Sequence, residues 1–351
     1  MTNLLRRLLV GWMLAGLAWS LSACNPMQEG SYTAERFKKA RAIKRQAELQ
    51  RSGLSKYLAG VDDTARILYV AMAGGQAQIF SIKPDGTDIV QLTRDAGYKT
   101  RPVWNLQHTQ IVFYQYPDDR PLGDEVSLMV MQADGSGARA VVSGKRIDAR
   151  RLRACWKPDN TVLYVQEIDF PSILYGYDVA TGSQVETIRL PKNSFLTEVH
   201  SLSPDLSYLG GSGPAKKDNV LHVGTIRRDG KMETDLMRPF QKGSFHLGSI
   251  VWSYDGQLVA FELDKIIIVM SKSFGLDLQV YTVVPQDFSG ELSCPSFSPS
   301  CNQIACIMGV THEGQVGSGD QAVASDVWIM SINGTRQRRL TQNGTCFDPA
   351  W

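Results

Sequence analysis

The sequence predicts an all-β fold: a six-bladed β-propeller closed by its N- and C-terminal strands and preceded by a short N-terminal helix. Three observations carry this reading. A hairpin built around an aromatic anchor recurs along the chain, each copy is followed by two more strand-like runs, and the first and last copies are incomplete in complementary ways.

The hairpin "VWNLQHTQIVF" (Val103 to Phe113) reappears as "CWKPDNTVLYV" (Cys155 to Val165), "SLSPDLSYLGG" (Ser201 to Gly211), "VWSYDGQLVAF" (Val251 to Phe261) and "SFSPSCNQIACI" (Ser296 to Ile307). Its anchors Trp104, Trp156, Leu202, Trp252, Phe297 and Trp351 stand 52, 46, 50, 45 and 54 residues apart. Third-strand runs such as "QIFSIKPDG" and "DVWIMSING" and fourth-strand runs such as "IVQLT" complete each unit. Four strands in about 50 residues, repeated, mark a propeller blade.

The hairpin turn has its own chemistry. In a Ser-Pro-Asp-Gly tetrad, proline presets φ, aspartate bonds the turn backbone and glycine supplies the positive φ. At "SPSC" Cys301 stands where glycine would, which predicts a strained or rearranged turn. The aromatic anchor is expected to fill the space between neighbouring blades. The last unit has only its first strand, "FDPAW", and the first unit opens on "RILYVA" (Arg66 to Ala71) with no hairpin partner before it. Paired, the two complete one blade and close the ring, which removes the open edges.

The repeat, an aromatic followed by Ser-Pro-Asp-Gly and an aliphatic-Ala-Phe strand, then an aspartate-glycine turn and a Leu-Thr end, resembles the TolB-type propeller repeat. The resemblance covers residues 66 to 351. It is clear at Gln78 to Thr93, Trp252 to Phe261 and Val327 to Thr341, and degraded around Gly182 and Gly275. TolB itself carries an α/β domain before its propeller, whereas this chain has only a short basic segment there. The resemblance therefore implies the fold and does not carry over the family's partner, a peptidoglycan-associated lipoprotein.

Ahead of the repeats, "MTNLLRRLLVGWMLAGLAWSLSAC" has Arg6 and Arg7, an apolar run from Leu8 to Ala18 and then small residues, the order of a secretory signal. An uncleaved anchor would need about 20 continuous apolar residues. "LSAC" at Leu21 to Cys24 resembles the bacterial lipobox, which implies cleavage before Cys24 and acylation, palmitate included, of that cysteine. Several acyl chains, at roughly 0.8 kcal/mol per buried CH2, hold a domain to a bilayer permanently. Asn25 stands where the inner-membrane retention signal puts Asp, which implies the periplasmic face of the outer membrane. The expected organisation is a signal peptide over 1–23, a lipidated N-terminus and basic linker over 24–60, and the propeller over 61–351.

The chain's net charge of +2 hides an asymmetry, +7 over the first 60 residues and −5 over the remainder. An acidic body in the cell envelope argues against nucleic-acid binding. Phe37, Ala40, Ile43 and Ala47 fall on one side of a helix from about Thr33 to Gly53, a narrow stripe that predicts a stalk or a loosely docked helix.

Catalytic signals are sparse. His108, His200, His222, His246 and His312 show no metal-ligand spacing. No G-x-S-x-G elbow or P-loop occurs, and "GQVGSGD" lacks the strand-to-helix setting of a phosphate loop, so no cofactor is expected. After Cys24 five cysteines remain, an odd number. A register in which Phe297 faces Gln303 would set Cys294 opposite Cys306, so a cross-strand disulfide is one expectation there and buried free thiols the other.

The connections from second to third strand share one face with those between blades. Four of them are long: "YPDDRPLGDEVS", "EIDFPS", "GSGPAKKDN" and "GVTHEGQVGSGDQAVASD". With the basic inter-blade stretch "GKRIDARRLR" they make this the expected partner-binding face, through Arg120, Lys145, Arg146, Arg150, Arg151, Lys216, Lys217 and His312. The expected function is a non-catalytic, membrane-anchored scaffold binding an envelope protein. The alternatives are a lactonase-like or quinoprotein-like enzyme and a carbohydrate or peptidoglycan binder.

Overall fold

The structure, a computed structural model, describes residues 43, 45–117, 125–147, 149, 153–192, 194–214, 221–230, 233–236, 247–263, 266–271, 280–283, 291–310 and 324–351. Residues 43 and 45–51 are helical. Ile43 and Ala47, the members of the expected stripe that fall within the described residues, are exposed, and the buried helical side chain is Leu49. Gly53, at φ +72°, ends the helix, and the compact propeller unit runs from Leu49 to Trp351.

From there the chain forms six four-stranded antiparallel sheets. Blade 1 holds β1 (Ile67–Ala73), β2 (Gln76–Ile82) and β3 (Val90–Gln91). Blade 2 is β4 (Tyr98–Trp104), β5 (Gln110–Tyr116), β6 (Glu125–Gln132) and β7 (Arg139–Arg146). Blade 3 is β8 (Cys155–Trp156), β9 (Val162–Gln166), β10 (Ile173–Asp178) and β11 (Gln184–Arg189). Blade 4 is β12 (Glu198–Leu202), β13 (Tyr208–Pro214), β14 (Leu221–Arg227) and β15 (Glu233–Asp235). Blade 5 is β16 (Leu247–Trp252), β17 (Leu258–Leu263), β18 (Ile266–Ser271) and β19 (Val280–Val283). Blade 6 is β20 (Glu291–Phe297), β21 (Gln303–Val310), β22 (Ala324–Ser331) and β23 (Arg338–Arg339).

The last strand, β24 (Cys346–Ala350), completes blade 1. It pairs antiparallel with β1, setting Leu68 against Ala350, Val70 against Phe347 and Ala71 against Cys346. The closure expected from the two incomplete units is therefore present. β24 becomes the innermost strand of blade 1, the place that β4, β8, β12, β16 and β20 hold in the others.

The anchor aromatics do the joining between blades. The Trp104 indole N–H donates to the Arg66 carbonyl (3.0 Å), Trp156 to Val103 O (3.4 Å) and Trp252 to Ser201 Oγ (3.0 Å), each reaching the preceding blade. Leu202 and Phe297 hold the same positions through apolar contact alone. Removing a buried ring of this size costs about 3–5 kcal/mol.

Two turns repeat around the ring on one face, the turn face. In the first, the N–H of His108, Asn160, Leu206, Gly256 or Cys301 closes on the carbonyl three residues back, and these five residues have φ between +55° and +64°. The "SPSC" turn is thus neither rearranged nor alone: glycine occupies this left-handed position in one copy, and His, Leu and Cys bear the same strain of roughly 1–2 kcal/mol each. In the second, between third and fourth strands, Gly86, Gly135, Gly182, Gly230 and Gly334 have positive φ. Here glycine is needed twice over in two copies, because a Cβ on Gly135 would lie 2.5 Å from Leu92 O and one on Gly182 would lie 2.3 Å from Val141 O of the neighbouring blade.

Gly182→Ala is accordingly expected to cost about 2–4 kcal/mol, the left-handed penalty plus overpacking against blade 2. Gly74→Ala, at φ +60° with nothing within 4 Å of the added carbon, should cost only the first, about 1 kcal/mol. Denaturant titrations of the two variants measure the difference, and equal losses would show that the inter-blade contact is not tight.

Candidate functional site

The innermost strands converge on a central channel, and five of them are irregular at one level. The pairing shifts between Thr100 and Val103, Val199 and Ser201, Leu247 and Ile250, and Ser293 and Ser296, and opposite β24 between Leu68 and Val70. Such bulges re-aim side chains. Arg101, Cys294 and Asp348 sit there at φ +50°, +52° and +50°, each three residues before its anchor aromatic, and Arg153 holds the same place before Trp156.

These side chains form one network around the buried Asp348. Asp348 accepts from the Thr100 hydroxyl and from the Arg101 backbone N–H (2.9 Å), and the Cys294 thiol points at its other oxygen (3.8 Å). Arg153 Nη1 donates to Pro349 O at 2.7 Å. The Glu262 carboxylate accepts the Cys294 N–H (3.2 Å), in a space that exists because position 248 is glycine: a Cβ there would stand 2.4 Å from the Glu262 oxygen. Burial pushes the Asp348 carboxyl up, but the Arg101 and Arg153 guanidiniums and the Thr100 and Arg101 hydrogen bonds outweigh it, leaving the group below its ordinary value. Burial, helped by Asp348, pushes the Cys294 thiol up, so it is a neutral donor and not a thiolate nucleophile.

Toward the turn face the channel widens into a chamber of about 160 Å3, walled by Trp104, Trp156, Leu202, Trp252, Phe297 and Trp351. Its mouth is bridged from opposite sides of the ring. His108 Nε2, of blade 2, lies 2.8 Å from the Tyr254 hydroxyl of blade 5, which in turn donates to Trp351 O. His108 stacks on Trp104 with ring centroids 5.1 Å apart, and burial pulls its imidazole down to about 4, so it is neutral at neutral pH. Above this bridge Leu49, Leu54 and Leu58 pack with Leu106 and Tyr254, and the Asp63 carboxylate accepts from Ser300 N–H and Oγ–H. The N-terminal segment of the propeller unit thus roofs the turn-face mouth.

His200 also lines the chamber, and its Nε2 lies 2.7 Å from Ser212 Oγ and 3.7 Å from Glu198. Ser212, on the second strand of blade 4, is buried behind the histidine and takes no part in the chamber wall, so the pair does not present a nucleophile. Among the described residues no group of three or more His, Cys, Asp or Glu could hold a metal ion.

The opposite, loop face carries the expected partner-binding residues that are described. Lys145 and Arg146 are exposed, and Arg146 Nη1 meets both Asp169 carboxylate oxygens at 2.7 and 2.8 Å. Met72 (41% exposed) and Phe170 (48%) stand on the same face, at the tips of the second-to-third strand connections of blades 1 and 3. Cys24, Arg120, Arg150, Arg151, Lys216, Lys217 and His312 lie outside the described residues.

The cysteine register differs from expectation. Phe297 pairs with Ile304, one position away from the expected Gln303, Ser293 pairs with Ile307 as the expected register has it, and the bulge between them absorbs Cys294 and Pro295. Cys294 therefore turns toward the channel and not across the ladder to Cys306, and both are free thiols.

No protein-family profile matches the chain, and no curated protein matches it in sequence. Solved structures do match. TolB from Acinetobacter baumannii superposes with a TM-score of 0.59 at 16% identity, over 88% of this chain and 72% of that one. A protein assigned as TolB from Agrobacterium tumefaciens gives 0.53 at 15% identity, over 80% and 90%. A chain of the nidogen/laminin complex gives 0.53 at 7% identity, over 81% and 97%. At these identities the likeness is one of fold: a TolB-like six-bladed propeller.

Asp348→Asn should destabilise the ring by about 3 kcal/mol at neutral pH, by removing the buried carboxylate that two half-buried guanidiniums face. Because the folded-state pKa of Asp348 is lowered, its contribution is full above the ordinary value of 3.8 and is lost as the pH falls through the depressed one. Urea unfolding at neutral pH and below the ordinary carboxylate pKa should show the wild-type advantage shrinking with acid, and a constant gap would refute the charge assignment.

Proposed function

We propose that the chain is a periplasmic lipoprotein, anchored through Cys24, whose propeller is a scaffold binding another envelope protein through its loop face. The observation that supports this best is the division of labour between the two faces. The turn face is taken up by the chain's own segment from Leu49 to Asp63, while the loop face offers Met72, Phe170 and Lys145 to solvent. An exposed aromatic beside basic side chains is the composition of an interaction site.

The TolB-like fold supports a protein-binding propeller. Among the described residues no helix is long and apolar enough to cross a membrane.

Two experiments test it. Cys24→Ser should abolish palmitate labelling and release the protein from the membrane fraction, and continued sedimentation with membranes would overturn the anchor. Lys145→Glu with Phe170→Ser should keep the unfolding midpoint, since exposed substitutions cost about 0.5 kcal/mol or less. The same variant should lose the envelope protein that travels with the wild type from native membranes in mild detergent, and undiminished co-purification would remove the loop face from consideration.

A further inference from the structure

The turn-face mouth is held by a titratable side chain that the scaffold role does not use. His108 stands in the β4–β5 turn at φ +55°, its N–H closing on Asn105 O. Its ring stacks on Trp104 and reaches Tyr254 across the ring of blades. The Tyr254 hydroxyl gives its hydrogen to Trp351 O, so toward His108 it accepts, and the hydrogen-bond chain assigns the imidazole hydrogen to Nε2. Nδ1 is then a bare lone pair, buried without a hydrogen-bond partner among the described residues. A proton added there would make a buried cation whose new N–H has no acceptor.

No neighbouring charge offsets that cost. Burial alone displaces the ionisation of His108. The ionisable groups closest to its partner, Asp63 and Cys301, act on the Tyr254 hydroxyl, which burial keeps neutral, and Trp351 O lies on the far side of that hydroxyl. The roof, meanwhile, rests on the two residues tied to this histidine. Leu49, Leu54 and Leu58 pack on Leu106, which belongs to the turn of His108, and on Tyr254, which holds its hydrogen bond. The far end of the segment is fastened separately, by the Asp63 carboxylate accepting from Ser300 N–H and Oγ–H. The roof therefore has a supported side and a tethered side.

We infer that His108 is an acid-sensitive latch: once protonated it leaves its buried place for water, the Leu106 and Tyr254 supports loosen with it, and the segment from Leu49 lifts about its Asp63 tether. Opening exposes the chamber walled by Trp104, Trp156, Trp252 and Trp351 at the turn face. The direction follows from the burial. With its value lowered from 6.5 to about 4, His108 stabilises the closed form fully above 6.5, and that contribution is lost as the pH falls from there toward 4. The latch is independent of the loop face, and its failure would leave the scaffold reading untouched.

Hydrogen exchange of the full chain at neutral pH and at about pH 5, corrected for the intrinsic pH dependence of amide exchange, tests it. The amides of Ser55, Tyr57, Leu58 and Val61 are hydrogen-bonded within the segment and report its closure. Their protection should fall about 30-fold at about pH 5, the shift that values of 6.5 open and about 4 closed produce, while β5 and β17 keep theirs. Return to neutral pH should restore it. His108→Asn and His108→Gly put at this turn the residues that blades 3 and 5 carry there, Asn160 and Gly256, and so remove the titrating ring while suiting the left-handed φ. In both variants the protection of the segment should be the same at the two pH values. Wild-type protection unchanged by acid overturns the latch whether or not the variants fold. An equal acid loss in either variant, or a loss spread evenly over all the blades, would overturn it as well.

Discussion

The structure depends on a short antiparallel seam, β24 against β1. A ring of blades that pack mainly on their neighbours depends on every junction, so its integrity is set by the weakest one. Here that junction is the one the chain makes between its two ends. It is correspondingly over-determined: Asp348 is held by blade 2, Pro349 O by Arg153 near blade 3, Trp351 O by Tyr254 of blade 5 and Trp351 N–H by Ser296 of blade 6. The five-residue strand and the Trp351 that follows it are thereby fixed to four blades besides their own.

The same geometry creates the channel. A regular innermost strand would alternate its side chains between the two adjacent blades and leave little for the axis. The bulge before five of the six anchors breaks that alternation, and at three of them it turns Arg101, Cys294 and Asp348 inward at left-handed φ. Strain of this kind persists where surrounding contacts over-determine it. The charges thus gather at one level of the axis and the anchor rings at the next, so the channel is polar toward the loop face and apolar under the roof.

Much of the fold was legible in the chain. The spacing of Trp104, Trp156, Trp252 and Trp351 gave the blade number, and the unmatched "FDPAW" and "RILYVA" gave the closure, because both are period-scale signals that survive local divergence. What was not legible depended on single-residue shifts. The Cys294–Cys306 register failed on a one-residue bulge, and the helix stripe missed that Leu49 is the buried side chain. The channel network was missed for a related reason, since Arg101 and Asp348 look like ordinary strand residues until the bulge is known, and Arg153 lies in the connection before β8. A signal existed nonetheless: each stands three places before an anchor aromatic, with proline next in two of the three. Leu206, His108 and Cys301 make the converse point, because the left-handed bend survives where the glycine that would advertise it is gone.

The position of β1 in its sheet has a mechanical corollary. Any pull on the chain upstream of Leu49 arrives, through the segment ending at Asp63, at a strand flanked by β2 on one side and β24 on the other. Such a load runs along the strand axis and meets both ladders in shear, many hydrogen bonds at once, where an edge strand would yield them one by one.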